Sequence, residues 1–316
     1  MVQQVVILDS TQIEAYDTCP TMWYNGYRSS LELIQDQEDE NNSLKAIRMG
    51  TLGHKWLEIF YTHKAMGCST PSAVNLANAF DPDLADELDL HQFPLDKDQR
   101  KTVIERMQFY WMKYANDDFQ PACRQDYEIS IDANSGLPID GFKKVPLVER
   151  GFSYELFNSP EYLFILEGRI DLIAPIGNST QLGFVDHKLQ LRERQLYPKS
   201  IQFKNYALAT GLNYGIINYI RLHQSVSAKT LVRQLISFNS FEIRTWRSEL
   251  IEIYVNVAKD LKAGDPKWAF ARKRSQCSGK FGYTCQFAHI CEEPDREVGE
   301  LIKLQRYKTK QEWKPW

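Results

Sequence analysis

The stretch Glu161–Ala209 contains EYLFILEGRIDLIAPIGNSTQLGFVDHKLQ, then a charged segment, and then QFKNYALA. Two runs rich in Ile, Leu, Phe and Val, Tyr162–Pro175 and Gln181–Leu189, predict two β-strands. Between them, Gly177–Thr180 supplies residues that suit a tight hairpin turn. We therefore expect an antiparallel hairpin at the centre of the fold.

The hairpin register determines which charged side chains meet. A loop at Asn178–Ser179, or its symmetric four-residue version, places Asp171 directly opposite Asp186. Side chains alternate along a strand, so Asp186 and Lys188 project from the same face. Two opposed carboxylates repel each other, and a divalent cation between them would reverse that interaction. The alternative is a solvated face on which the lysine neutralises two acids.

Composition indicates a globular protein, with 316 residues, 43% hydrophobic and 12% aromatic. The net charge of −3 does not indicate a general polyanion binder, although basic residues gather at Arg192–Lys204, at Arg272–Arg274 and in the C-terminal tail. No apolar run has membrane-spanning length, and the N-terminus does not resemble a signal peptide. We expect a soluble cytoplasmic protein that does not associate with membranes.

The order of predicted elements indicates an α/β fold in which helices flank a mixed β-sheet. We expect one domain over residues 1–316, with a helical insertion at 67–140. The predicted helices are Leu44–Met66, Val103–Tyr114, Lys199–Leu212 and Phe241–Lys262. The further predicted strands are Tyr127–Ile131, Val145–Leu156 and Leu231–Asn239.

Three of the six cysteines, Cys277, Cys285 and Cys291, lie close together near the C-terminus. Disulfides are not expected in an intracellular protein, so this spacing favours ligation of a metal or a cluster. Three thiolates leave one position of a zinc site or a four-iron cluster for Cys19 or His289. Residues 265–316 are therefore predicted to form a cluster-binding segment with a basic tail.

Five features occur in one order along the chain. They are Cys19-Pro20 with the three C-terminal cysteines, Gly50-x-x-x-His54, Gly168-Arg169-Ile170-Asp171, Asp186-His187-Lys188 and Gln202-x-x-x-Tyr206. With them the chain resembles the RecB-like branch of the PD-(D/E)XK nuclease superfamily. Within that branch it is similar to members with an iron–sulphur cluster, such as AddB and the CRISPR-associated adaptation nucleases. The separation of Cys277 from Cys285 is longer than is usual there.

The resemblance implies a restriction-endonuclease-like core and a metal-dependent DNA nuclease. It implies an exonuclease acting on single-stranded or end-containing DNA in recombination, repair or replication, with a helicase or recombination partner. The implied ligands of Mg²⁺ or Mn²⁺ are His54, Asp171, Asp186 and the backbone carbonyl of Leu189. Glu149, in the preceding strand, is an accessory candidate, and a surface or salt-bridge role is its alternative.

The resemblance assigns catalytic roles to Lys188, Gln202 and Tyr206. Lys188 would orient or deprotonate the attacking water, or offset developing charge, while Gln202 and Tyr206 would position the phosphate or the lysine. A 4Fe–4S cluster would be held by four cysteines, with structural Zn²⁺ as the alternative: Cys19, Cys277, Cys285 and Cys291. The competing hypothesis for the whole chain is a non-catalytic module that binds nucleic acid or a partner. Oligomeric state and cutting polarity stay open.

Overall fold

The structure is a computed structural model that describes residues 3–33, 37–80, 97–115, 119–131, 138–177, 180–191, 199–222, 230–263, 277, 285–293 and 295–309. Within these ranges the strands are β1 Gln4–Leu8, β2 Leu31–Leu33, β3 Cys123–Ile131, β4 Pro138–Pro146, β5 Val148–Asn158, β6 Tyr162–Pro175, β7 Leu182–Gln190, β8 Tyr214–Arg221, β9 Leu231–Ser237 and β10 Tyr307–Thr309. The α-helices in the same ranges are α1 Ser10–Thr18, α2 Pro20–Trp23, α3 Gln37–Ala65, α4 Thr70–Asn78, α5 Lys97–Lys113, α6 Ile201–Thr210, α7 Ser240–Lys262, α8 Ala288–Glu292 and α9 Arg296–Arg306, and Tyr24–Arg28 forms a π-helical turn. None of the described helices is long and apolar enough to cross a membrane.

Capping residues set the limits of the helices that flank the sheet. The Asp9 carboxylate accepts a hydrogen bond from the Gln12 N–H at 2.8 Å, which begins α1. Asn239 and Glu242 form a reciprocal capping box at the start of α7. The end of α6 is set by Gly211, whose φ of 71° is a left-handed conformation that glycine adopts readily.

The central hairpin consists of β6 and β7, and β6 has the bounds that the sequence predicts. Leu172 pairs with Val185, and the same register continues towards the turn. The predicted register is therefore confirmed over Leu172–Pro175, and the pairing ends one residue before Asp171 and Asp186, which the same register would place opposite each other. The predicted turn residues Asn178–Ser179 lie outside the described part of the chain.

A six-stranded mixed sheet surrounds the hairpin, with β1–β6 and β7–β8 parallel and the remaining pairs antiparallel. β5 covers one edge of β6 from Leu163 to Leu172. Consequently β1, which pairs with Tyr162–Leu166, and β7, which pairs with Leu172–Pro175, share the other edge. On that edge no described strand pairs with Glu167–Asp171. We call this opening in the sheet the fork.

The mixed α/β class predicted from the sequence is confirmed. The sequence reading missed β1 and β8, although the apolar runs Val5–Leu8 and Gly215–Ile220 are signals for strands. Residues 67–140 contain α4, α5 and β3 and reach the first residues of β4, which pairs with β3 in a separate two-stranded sheet. The last part of the range is therefore a pair of strands, and β3 includes the predicted strand Tyr127–Ile131.

Helices pack on both faces of the sheet. Val185 of β7 lies in one core cluster with residues of α3, α4 and α5. Phe184, on the opposite face, packs in another cluster with Phe203 and Tyr206 of α6. By alternation, Asp186 and Lys188 point towards α6, whereas the residues between and after them point towards α3.

Candidate active site

The fork leaves backbone groups of β6 and β7 without partners in the sheet, and side chains form hydrogen bonds with these groups instead. The backbone N–H of His187 donates to Oδ2 of Asp171 at 2.7 Å. The hydroxyl of Tyr206 donates to the backbone carbonyl of Arg169 at 2.7 Å. These two bonds satisfy polar groups that a continuous sheet would pair, and they fix the Asp171 carboxylate inside the opening.

Three carboxylates fall in one row across neighbouring strands. By the register of β5 on β6, Glu149 falls opposite Asp171, and the hairpin register, continued one residue beyond its last pair, places Asp186 on the other side. Glu149 has a φ of 47°, in a region that residues other than glycine rarely occupy. Such strain persists only where the surroundings impose it, and it is common at functional sites. Arg169 Nε lies 3.1 Å from Oε2 of Glu149 and partly balances the row.

His54 approaches the row from α3. Its Nδ1 lies 3.6 Å from Oδ2 of Asp171 and 3.7 Å from Oε1 of Glu149, and its side chain is 36% exposed. Gly53 permits this approach, because a Cβ at that position would lie 1.9 Å from Cδ2 of Leu189. Ligand atoms of His54, Glu149 and Asp171 all lie within 4.8 Å of one another. The three side chains therefore form a potential metal site that solvent can reach.

Asp186 and Lys188 form a buried ion pair beside this group. Lys188 Nζ donates to Oδ1 of Asp186 at 3.1 Å and lies 2.8 Å from Oδ2, and Asp186 is 1% exposed. Gln202 of α6 accepts from Lys188 Nζ at 2.9 Å and donates to Oδ1 of Asp186 at 3.1 Å. Gln202 therefore holds both charged groups in place, while Oδ2 of Asp186 stays in contact with the Lys188 ammonium.

Tyr206 completes the contacts from α6. The Gln202 amide donates to the Tyr206 hydroxyl at 2.7 Å, one helical turn away. Because that hydroxyl in turn donates to the Arg169 carbonyl, a continuous chain of hydrogen bonds links Lys188 to the fork.

Burial dominates the electrostatics of the site. It raises the pKa of Asp171, with a further contribution from Glu149, and it raises the pKa of Asp186 despite the opposing charge of Lys188. Burial by itself would lower the pKa of His54 and of Lys188, but the neighbouring carboxylates outweigh it, and both pKa values are raised. The folded state therefore favours protons or another cation at these carboxylates.

The structure brings His54, Asp171 and Glu149 together, and it places Asp186, Lys188, Gln202 and Tyr206 alongside them. Glu149, which the sequence predicts only as an accessory candidate, lies as close to His54 as Asp171 does, at 3.7 Å and 3.6 Å from its Nδ1. For Leu189, the structure shows its side chain packed against Gly53. Arg169 received no role from the sequence, although it stands inside the quoted Gly168–Asp171 motif.

The cysteines assigned to the cluster lie in described parts of the chain, and none of them forms a disulfide. The backbone N–H of Cys285 donates to the carbonyl of Cys277 at 2.9 Å. Burial raises the pKa of Cys285, and the neighbouring thiols of Cys277 and Cys19 raise it further. Within the described ranges, however, no three cysteine sulfurs lie within 4.8 Å of one another. The four thiols are therefore not arranged as ligands of one ion.

Comparison with protein families gives a match over most of the chain. A family model described as the PD-(D/E)XK nuclease superfamily matches residues 10–292. No curated protein matches the chain. A solved structure titled "Crystal structure of SSO0001" matches with 17% identity over 34% of this chain and 48% of that chain, at a TM-score of 0.24. The matched part therefore spans about half the length of that chain, while the family match includes every residue of the site.

Proposed function

The chain belongs to the PD-(D/E)XK nuclease superfamily, and on that premise we propose that it is a divalent-metal-dependent deoxyribonuclease that hydrolyses phosphodiester bonds. The observation that carries the proposal is the row of Glu149, Asp171 and Asp186 in the fork, with His54 at one end and Lys188 at the other. A module that only bound nucleic acid would need basic surface rather than buried carboxylates.

The donor set fits Mg²⁺ or Mn²⁺. Hard divalent cations prefer carboxylate oxygens and accept an imidazole, and His54, Glu149 and Asp171 supply this combination within 4.8 Å. Asp186 would add a buried carboxylate oxygen, and the cation would share or replace the 2.8 Å contact of Oδ2 with the Lys188 ammonium. We also propose the Leu189 carbonyl as a ligand. A bound divalent cation lowers the pKa of its water and acts as a Lewis acid on the phosphate.

Lys188, Gln202 and Tyr206 would act as one unit. The charges of Asp186 and Asp171 raise the pKa of Lys188 and favour its ammonium form, which can orient the attacking water and offset developing charge. Gln202 keeps that ammonium beside Asp186, and the Tyr206 hydroxyl accepts from the Gln202 amide and donates to the carbonyl of Arg169.

We propose an exonuclease that acts on single-stranded or end-containing DNA in recombination, repair or replication, together with a helicase or recombination partner. The support is the ordered resemblance to the RecB-like branch, in particular Gln202 and Tyr206 on α6 after the Asp186-x-Lys188 strand. The basic residues 272–274 and 310–316, which would add contacts to a single strand, lie outside the described residues.

We further propose that Cys19, Cys277, Cys285 and Cys291 hold a 4Fe–4S cluster, with a structural Zn²⁺ as the alternative. Four thiolates about 2.3 Å from one tetrahedral zinc would stand about 3.8 Å from each other. Among the described residues, no three cysteine sulfurs lie within 4.8 Å. Each thiolate of a four-iron cluster binds a different iron, so such a cluster does not require its thiolates to lie that close together.

A nuclease assay on four DNA substrates tests the proposed activity. The purified chain is expected to degrade linear single-stranded DNA in Mn²⁺ or Mg²⁺ and to stop on chelation. Linear duplex, closed circular duplex and circular single strands serve as comparisons, since an exonuclease requires an end. Cleavage of closed circles would contradict the exonuclease assignment. Binding of DNA without cleavage in either metal would favour the non-catalytic module instead.

Asp171→Asn is expected to raise the Tm of the metal-free protein at about pH 8 by about 2–4 °C, the change that about 1 kcal/mol produces in a domain of this size. Asparagine keeps an oxygen that can accept from the His187 N–H, but it removes a buried charge beside Glu149. The folded pKa of Asp171 lies above its ordinary value of 3.8. The contribution of Asp171 to wild-type stability is therefore most favourable at low pH and falls as pH rises through the folded pKa, so the gain should shrink on acidification.

Thermal melts with and without Mn²⁺, at about pH 8 and about pH 5, provide the measurement. Mn²⁺ should raise the Tm of the wild type and leave that of Asp171→Asn unchanged, because a ligand that binds only the folded state stabilises it. If metal-free Asp171→Asn melts at a lower temperature than the metal-free wild type at about pH 8, the charge of Asp171 does not destabilise the folded protein.

A further inference from the structure

A buried polar network lies behind the strand that carries Asp186 and Lys188. His187 is 2% exposed and faces α3, where the ring of Tyr61 stacks on its imidazole at 5.7 Å with an interplanar angle of 11°. Its Nδ1 lies 2.8 Å from Nδ2 of Asn218 on β8. The Tyr110 hydroxyl of α5 accepts from Asn218 Nδ2 and from Arg233, each at 3.1 Å. We call these five residues the inner network.

The inner network connects three strands to two helices. The hydroxyls of Tyr61 and Tyr110 lie 2.8 Å apart, which joins α3 to α5. Through Asn218 and Arg233 the same hydroxyl of Tyr110 is joined to β8 and β9. These bonds are directional, so they specify one position of α3 over the sheet, whereas an apolar contact would tolerate small shifts.

The network includes unsatisfied groups. Within the described part of the chain, neither Nε2 of His187 nor Oδ1 of Asn218 has a hydrogen bond, and both residues are buried. Buried polar atoms without partners are destabilising. A purely apolar contact between α3 and β7 would avoid this penalty, so stability by itself does not account for the polar residues.

The inner network acts on the same two elements that build the metal site. Tyr61 follows His54 by seven residues, about two helical turns, so both side chains lie on one face of α3. His187 contributes the backbone N–H that holds the Asp171 carboxylate. The stack of Tyr61 on His187 therefore connects the helix that bears His54 to the residue that orients Asp171.

We propose that Tyr61 and His187 are positioning residues, whose stacked rings set the distance between His54 and Asp171. The proposal rests on the proposed metal-dependent function and assigns to it two residues that touch neither metal nor DNA. Residues that orient metal ligands typically contribute about 10-fold to 100-fold to metal affinity or activity.

Direct binding of Mn²⁺, followed by the electron paramagnetic resonance signal of the free ion, tests the proposal. Tyr61→Leu removes the stack and is expected to raise the Kd for Mn²⁺ about 10-fold or more. Its kcat should fall while KM for DNA stays within about twofold, since the substrate surface is unchanged. Tyr61→Phe keeps the ring and should bind Mn²⁺ within about threefold of the wild type.

Leu250→Ala is the matched control for lost stability. Leu250 is fully buried in the cluster formed with α7, away from the inner network. This variant should lower Tm at least as much as Tyr61→Leu and leave the Kd for Mn²⁺ unchanged. If Tyr61→Leu does not fold, His187→Leu removes the same stack from the other side, and the same weakening of Mn²⁺ binding is expected.

The outcomes separate the two proposals. If His54→Ala weakens Mn²⁺ binding and neither stack variant does, the positioning role is wrong and the metal site stands. If both kinds of variant weaken it, the positioning role is supported. If the wild type neither binds Mn²⁺ nor cuts DNA, the proposed function fails, and the positioning role fails with it.

Discussion

Lys188→Ala is expected to lower the rate of metal-dependent DNA cleavage by about 100-fold to 1,000-fold, the range seen when one charge-stabilising donor is removed from an active site. Lys188 is the cation that lies against Asp186, and Gln202 holds its ammonium at 2.9 Å. Alanine leaves the carboxylate row intact, so the substitution removes the positive charge without removing proposed metal ligands.

Metal binding distinguishes this loss from collapse of the site. Removing a positive charge beside Asp186 and Asp171 should leave the Kd for Mn²⁺ unchanged or lower, because the carboxylates then attract the cation more strongly. The measurements are single-turnover cleavage of a labelled single strand and Mn²⁺ binding on the same preparation. We expect Lys188→Ala to bind Mn²⁺ at least as tightly as the wild type and to cleave almost no DNA.

Lys262→Ala is the matched control, since its Nζ donates to the Tyr162 hydroxyl on an exposed surface away from the fork. This variant should cleave DNA at the wild-type rate. Cleavage by Lys188→Ala at that same rate would show that the lysine has no role in the reaction. If Lys188→Ala loses both Mn²⁺ binding and cleavage, the role of Lys188 is to maintain the structure of the metal site.

Cys19→Ser is expected to remove visible absorbance from the purified protein and to lower Tm by about 5 °C or more, as for a loss of about 2 kcal/mol. The N-terminal and C-terminal segments meet where these cysteines lie. β10 pairs with β2, and the ring of Tyr307 stacks on Phe287 at 5.9 Å. A cluster at this junction would close the domain across nearly the whole chain.

Cys285→Ser should have the same effect as Cys19→Ser, because either change removes one ligand of a four-cysteine set. Cys123→Ser is the control, since Cys123 is exposed and belongs to β3. It should keep both the absorbance and the Tm of the wild type. The measurements are the visible spectrum, iron and zinc content, and thermal melts.

Two results would contradict the cluster assignment in different ways. If the wild type is colourless and holds one zinc per chain, and both cysteine variants lose that zinc, then zinc and not iron joins the N-terminal and C-terminal segments. Wild-type Tm in both Cys19→Ser and Cys285→Ser would show that the strand pair and the aromatic stack suffice to hold the segments together.

The sequence by itself determined the central hairpin and its register. Alternation along Tyr162–Pro175 and a short turn leave few ways to pair two strands, and a shift of one residue would expose the apolar face. These local rules determine the pairing of Leu172–Pro175 with β7, which ends just before Asp171 and Asp186. The helices α6 and α7 were also predictable, because their apolar residues recur with helical spacing.

Only the tertiary structure decided how the site is completed. Glu149 faces Asp171 through the pairing of β5 with β6, and His54 reaches the row because Gly53 lets α3 approach Leu189 closely. The fork itself depends on β1, more than 150 positions from its partner in β6. Such contacts between distant segments carry no periodic signal in the sequence, because they depend on which surfaces fit once the elements have formed. The sequence thus determined the catalytic strand pair, and packing decided which further side chains reach it.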